Sequence, residues 1–317
     1  MKYFLLSLLL PFSGYCQLID LTLTPKEKKK YPLEVTSIVQ MKQTINGAAV
    51  EAKAKSTTKL SFAFGKEERR IFPVTLRYEN ASLQMQTIVN GQEMPLGKVP
   101  SYLNQAVGYL KGETFKGDIS NKGKIYKFTG TTPILTNAIK TLEKKQPKDA
   151  PIAPFEREQV EAQLVATFGE ATLQSNLTNV FAIFPSQKVR VGDTWEVTSS
   201  LSKDMDITIK TQYTLVEAND HTLQIRGKAI IQSQREKVIL QQGQYIFFTM
   251  EGEVDSWLFL DPKTKWFQKG CIRQRVKGIS EAEGDLSHPG KEIPFEGNSE
   301  LLLNLSLIHI SEPTRPY

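Results

Sequence analysis

The sequence predicts a mainly β protein with a few helices, built from antiparallel curved sheets or half-barrels, with a two-fold repeat as one arrangement and a helical middle between the two strand-rich units. Three observations lead there. Long stretches alternate apolar and polar residues with a period of two, the mark of strands with one wet face. Pairs such as Asn46-Gly47, Asn90-Gly91 and Asn219-Asp220 punctuate them, and such pairs supply tight hairpin turns. Between about 131 and 179 the apolar spacing changes to that of helices.

The elements follow in order. "LIDLTLTP" (18–25) and "YPLEVTSIVQMKQTI" (31–45) flank the lysine cluster of 26–30 and read as two strands of one hairpin. "KLSFAF" and "VTLRYENASLQMQTIV" continue the alternation, and a short helix fits 100–110. In "TTPILTNAIKTLEKK", Thr132 caps a helix opened by Pro133, and Ile134, Leu135, Ala138, Ile139 and Leu142 share a face. "FEREQVEAQLVATFG" sets Val160, Leu164 and Phe168 on one face, carries acids in its first turn and stops at Gly169. The proline- and charge-rich "KKQPKDAPIAP" links the two helices. "ITIKTQYTLVEANDHTLQIRGKAIIQ" and "YIFFTMEGEVDSWLFLD" resume the strands.

The chain then divides into a leader (1–16), a first β unit (17–130), a helical middle and linker (131–179), a second β unit (180–304) and an alien tail (305–317). A constant offset of 140 residues relates "NASLQM" (80–85) to "DHTLQI" (220–225), and Asn121, Tyr126 and Gly130 to Asp261, Trp266 and Gly270, as a duplication would.

"MKYFLLSLLLPFSGYCQ" has Lys2, a short apolar run and small residues, the pattern of a secretory signal cleaved after Cys16. The alternative is a lipid anchor on Cys16, against which the bulky Tyr15 argues. Export to the periplasm or cell surface is the expectation, with no later segment apolar and long enough for a transmembrane helix. Removing Cys16 leaves Cys271 as the one cysteine, so no internal disulfide forms. The formal charge is +6, and the Lys26, Lys28, Lys29, Lys30 cluster is local. Stacking aromatics are not interleaved with it, so it reads as a solvated turn and nucleic acid is not an expected partner.

Outside the tail the histidines are His221, in a turn, and His288, in a loop. Neither falls in a metal-binding spacing, and no Gly-x-Ser-x-Gly elbow or phosphate-cradling loop occurs, so no residue is expected to be catalytic, to ligate a metal or to bind a cofactor. Ser56–Lys59 and Ser200–Lys203 match Ser-x-x-Lys without its companion motifs. Two carboxylate clusters remain as candidates. Glu251, Glu253 and Asp255 project from one face of a strand; Glu281, Glu283 and Asp285 follow near a loop. They suit acid–base chemistry or calcium, or else a solvated face balanced by lysines.

The most specific stretch is "VFAIFPSQKVRVGDTWEV" (180–197). Phe184-Pro185 closes one segment, Gly192-Asp193 turns or bulges the chain, and Trp195 anchors the second set of strands. With Tyr213 downstream and "GETFKGDISNKGKIYKFTG" upstream, this stretch resembles the secreted Bacteroidota proteins of the domain-of-unknown-function family 6263. The resemblance implies export and a β-rich domain. It brings no reaction and no catalytic residues.

"LSLIHISEPTRPY" interrupts the strand that "NSELLLN" begins, and it is identified as a translated sequencing adapter. His309 then has no meaning, and a further strand and the natural C-terminus would be missing. The expected role is an exported, non-enzymatic envelope or periplasmic module that binds a hydrophobic or amphipathic, lipid-like ligand. The alternatives are a hydrolase using the carboxylates and a structural domain that pairs with an envelope protein.

Overall fold

The computed structural model describes residues 17–95, 97–202, 205–233, 236–239, 245–282 and 292–305. The leader, Cys16, Glu283, Asp285, His288 and the tail beyond Leu305 lie outside the described residues. Among the described residues the chain runs β1 (Lys30–Ile45), β2 (Ala48–Phe64), β3 (Ile71–Val89), β4 (Gln92–Met94), α1 (Val99–Gly108), β5 (Thr114–Ser120), β6 (Ile125–Thr129), α2 (Thr131–Lys145), α3 (Pro154–Phe168), α4 (Glu170–Phe181), β7 (Thr194–Ser202), β8 (Met205–Ala218), β9 (Leu223–Gln232), β10 (Glu236–Ile239), β11 (Tyr245–Leu260), β12 (Phe267–Ala282) and β13 (Glu292–Asn304).

The strands form one antiparallel sheet in the order β6-β5-β3-β2-β1-β13-β12-β11-β9-β8-β7, with β4 on β3 and β10 on β11. The sheet is mainly β architecture, curled like a half-barrel and not closed. Both strand-rich stretches share it, because β1 pairs with β2 on one side and with β13 on the other. β13 therefore lies mid-sheet and not at an edge. The turns behave as their residues require: Asn46 and Gly47 take φ 51° and 81°, and Asn90 and Gly91 take 48° and 82°.

One local expectation is corrected. Residues 18–25 do not form a hairpin with 31–45, since both edges of β1 are occupied. The segment threads across the sheet instead. Ile19 exchanges hydrogen bonds with Val189, Leu23 N–H donates to Asn121 O, and Thr24 N–H donates to Thr264 O. Leu21 and Leu23 are fully buried beneath it, which explains the alternation that resembled a strand. The 140-residue offset sets Asn121 and Asp261 in equivalent hairpin turns, β5–β6 and β11–β12. It does not match throughout: 80–85 lies inside β3, whereas 220–222 turn between β8 and β9.

The helices sit against one end of the sheet. α2 starts a little before the expected Thr132 cap, with Gly130 at φ 96° as its N-cap residue. α3 begins at Pro154, where Glu156 accepts from Ala153 N–H, and ends at Gly169. Gly169 leads at once into α4, a helix not singled out from sequence although Leu173, Leu177, Val180 and Phe181 make its buried stripe. The core gathers there: Phe62, Phe64, Phe181, Trp266 and Phe267 make edge-to-face or tilted contacts at 5.1–5.9 Å. Among the described residues no helix is long and apolar enough to cross a membrane.

Candidate binding trough on the concave face

Directly paired residues of antiparallel strands point to the same face, so the register lays out the concave surface in rows. Nearest the helices run Leu215, Ile225, Leu258, Gly270, Leu303, Val35 and Thr58. The next row is Trp195, Tyr213, Gly227, Ser256, Ile272, Leu301, Ser37, Ser56 and Leu83. Then come Val197, Thr211, Ala229, Val254, Gln274, Ser299, Val39, Ala54 and Met85. Beyond them lie Ile231, Gly252, Val276, Gly297, Met41 and Ala52.

The helices cannot roof all of this. β1, β2 and β3 have 16, 17 and 19 residues, roughly 50–60 Å at strand rise. α3 and α4 have 15 and 12 residues, roughly 20 Å each. On β1–β3 burial follows the mismatch. Leu33 and Phe62 are fully buried, while Val39, Met41 and Met85 remain 38% exposed on the same concave face. On β8, β9 and β11, by contrast, that face closes on a second buried cluster of Ile209, Ala229, Ile231 and Phe248. A cavity of about 480 Å³ opens where the cover stops, between Leu173, Leu177 and Asn179 of the helical side and the second and third rows of the sheet.

Two contacts shape its walls. Tyr213 lies over Gly227, where a Cβ would come within 2.5 Å of the ring, so only glycine leaves room. Trp195 stacks on Tyr213 at 6.0 Å and donates its Nε1–H to Ile183 O at 2.8 Å. This fixes the end of α4 to the start of β7. The rest of the motif is built around that link. Phe184 and Pro185 are buried, Gly192 takes φ 93°, and Asp193 accepts from Arg190 N–H at 2.8 Å.

Burial pushes the Tyr213 phenol up to about 12, against a smaller opposing effect of Thr211, so it is a neutral hydroxyl at ordinary pH. Asn179 Oδ1 is buried beside the cavity with no hydrogen-bond partner among the described residues. In the sequence Asn179 is one of the polar residues that dilute the apolar stripe of α4, so nothing marks it as a site residue.

The candidate carboxylates point the other way. Glu251, Glu253 and Asp255 alternate with Met250, Val254 and Ser256 and so occupy the convex face. Glu251 meets Lys277 at 2.9 Å, Glu253 meets Arg275 at 3.3 Å, and Asp255 meets Arg226 at 3.4 Å. Glu281 is on the same face of β12. Glu300 and Arg273 pair there at 2.8 Å, and this hydrogen bond lowers the Glu300 carboxyl. Cys271 lies beside them; burial and the Glu300 contact raise its thiol, which opposes a reactive thiolate. His221 sits in an exposed turn. Among the described residues no three His, Cys, Asp or Glu side chains gather as a metal site would need.

A family model described as a family of unknown function (DUF6263) matches residues 70–267. The chain belongs to this family. The DUF6263 match runs from the start of β3 to the first residue of β12, so it contains α3, α4 and the Phe184–Trp195 motif and leaves out β1, β2 and β13. No curated protein matches the chain. Among solved structures, lipovitellin, in a structure of its lipid–protein interactions, aligns over 92% of this chain with a TM-score of 0.41 and 9% identity. The chain spans 26% of that lipovitellin chain. An outer membrane channel from Pseudomonas putida F1 aligns over 89% of this chain and 97% of its own, with a TM-score of 0.17 and 5% identity.

Proposed function

We propose that this DUF6263 protein is an exported, non-enzymatic envelope or periplasmic protein that holds a hydrophobic or amphipathic, lipid-like molecule in the concave trough. The observation that carries the reading is the continuation of apolar side chains on the concave face past the reach of the helices, with a cavity at the junction. Apolar surface left open to water favours an apolar partner, and burial of that surface supplies the affinity. Export rests on the apolar leader of the sequence.

Native mass spectrometry of the protein purified from a bacterial envelope tests the reading. A co-purifying lipid-like mass is expected, and it should be lost in Ser56→Leu, which fills the cavity floor. Protein that carries no ligand, and takes up none when offered lipid extracts, would sink the proposal and favour a structural domain.

A further inference from the structure

The cavity's lining has a specific polarity. Its apolar walls are Val35, Val39, Ile272, Leu301, Leu173 and Leu177. Across its floor Ser37 and Ser56 face each other on β1 and β2, with Thr58 and Ser299 beside them. None of these four hydroxyls has a hydrogen-bond partner among the described residues. Asn179 adds an amide whose buried Oδ1 is also unmatched. Among the described lining residues, the one formally charged side chain is Glu300. Its carboxylate accepts from Arg273 Nε on the convex face, so it does not project into the cavity.

Given the trough as the binding site, we infer that its occupant is an uncharged amphiphile: one acyl or alkyl chain ending in a hydroxyl- or ester-type polar group. The chain lies against the valines, leucines and isoleucine. The polar end meets the serine hydroxyls, and a small rotation of Asn179, whose Oδ1 is closed off from the cavity in the ligand-free fold, would bring the amide to it. A hydroxyl both donates and accepts, so it satisfies a serine or either end of the amide. A carboxylate or phosphate entering the same place finds no cation, and burying an unpaired charge is costly. The volume of about 480 Å³ is that of a pocket for a single small ligand, within the usual range of about 300–1,000 Å³.

The test is competition against N-phenyl-1-naphthylamine, a neutral fluorescent probe, on the delipidated full chain at a pH near 8. Monopalmitoylglycerol is compared with palmitate, which has the same chain and an ionised head. The glycerol ester is expected to compete about tenfold or more better, and Ser37→Ala/Ser56→Ala should shrink that ratio while probe binding persists. Persisting probe binding also shows that the variant is folded. Palmitate competing as well as the ester would overturn the inference while leaving the trough as a binding site, as would an unchanged ratio in the double variant. Failure of the probe and of both lipids to bind the wild-type chain would overturn the trough itself.

Discussion

The two ends of the concave face are made by the same strands and yet built differently. Under the helices the strands present Leu33, Leu60, Phe62, Leu76, Tyr78, Leu215, Ile225, Leu258 and Leu303, each at most 2% exposed. Further along they present Ser37, Ser56, Ala54, Ala52, Gly252 and Gly297, with Val39, Met41 and Met85 half open to solvent. An end that simply lacked its cover would still carry core-sized side chains. Small ones leave volume, and hydroxyls leave hydrogen-bonding capacity. On β1–β3 the contrast is between a packed core and an open face of small side chains and hydroxyls, while β8, β9 and β11 close their far end with Ile209, Ala229, Ile231 and Phe248.

Truncation separates the two ends most strongly. Phe62 is fully buried and touches Phe64, Phe181 and Trp266. Phe62→Ala should cost about 3–5 kcal/mol in chemical denaturation, the range for losing a packed aromatic and leaving a cavity. Met41→Ala, at the open end, should stay within about 0.5 kcal/mol, as for other exposed sites. Comparable losses at both positions would mean that the open end is core after all.

Trp195 lies at the seam. It is half-buried, stacks on Tyr213 and donates to Ile183 O. Trp195→Ala should cost about 3 kcal/mol, the low end for an aromatic truncation, because part of the ring already faces solvent. A negligible change in the denaturation midpoint would remove it as the link between α4 and β7.

How much of this was legible in the sequence depended on whether the signal was local. The hairpin turns at Asn46-Gly47 and Asn90-Gly91 were readable, because positive φ at both central residues is a property of those residues. So were α2 and α3, whose caps and stripes are contiguous. The threading of 18–25 was not, because an apolar alternation shows that one side is buried but not against what. α4 carried a readable stripe that its polar residues (Gln174, Asn176, Asn179) diluted. The cavity was least legible. Ser37, Ser56 and Ser299 come from three strands, and only the pairing of the first long strand with the last brings them together. Conversely, Glu251, Glu253 and Asp255 stood out as a cluster because they share a strand face, which says nothing of whether that face is concave or convex.

Asn179 sharpens the comparison from the helical side. A buried acceptor without a partner weakens the fold, and removing it relieves that burden. Asn179→Leu should therefore stabilise the ligand-free protein by about 1 kcal/mol while weakening the binding of a hydroxyl-bearing lipid. A variant that gains stability and keeps full affinity would show the amide to be a packing imperfection with no role in the trough.

The smallest effect is expected on the other face. Glu253 and Arg275 lie directly opposite on β11 and β12, and both side chains are more than two-thirds exposed. Water and salt screen such a pair, and holding two long side chains together opposes what attraction remains. Glu253→Gln and Asp255→Asn, singly or together, should leave the denaturation midpoint, lipid uptake and probe affinity at wild-type values, with any residual stability difference vanishing in high salt. Their neighbours in the ladder, Glu251 with Lys277 and Glu300 with Arg273, share the load on that face, so removing one rung shifts the charge pattern without exposing any apolar surface. The measurement that would reverse this view is a hydrolytic activity on an ester lipid that these substitutions abolish while binding survives. That result would move the working surface from the concave side of the sheet to the convex one.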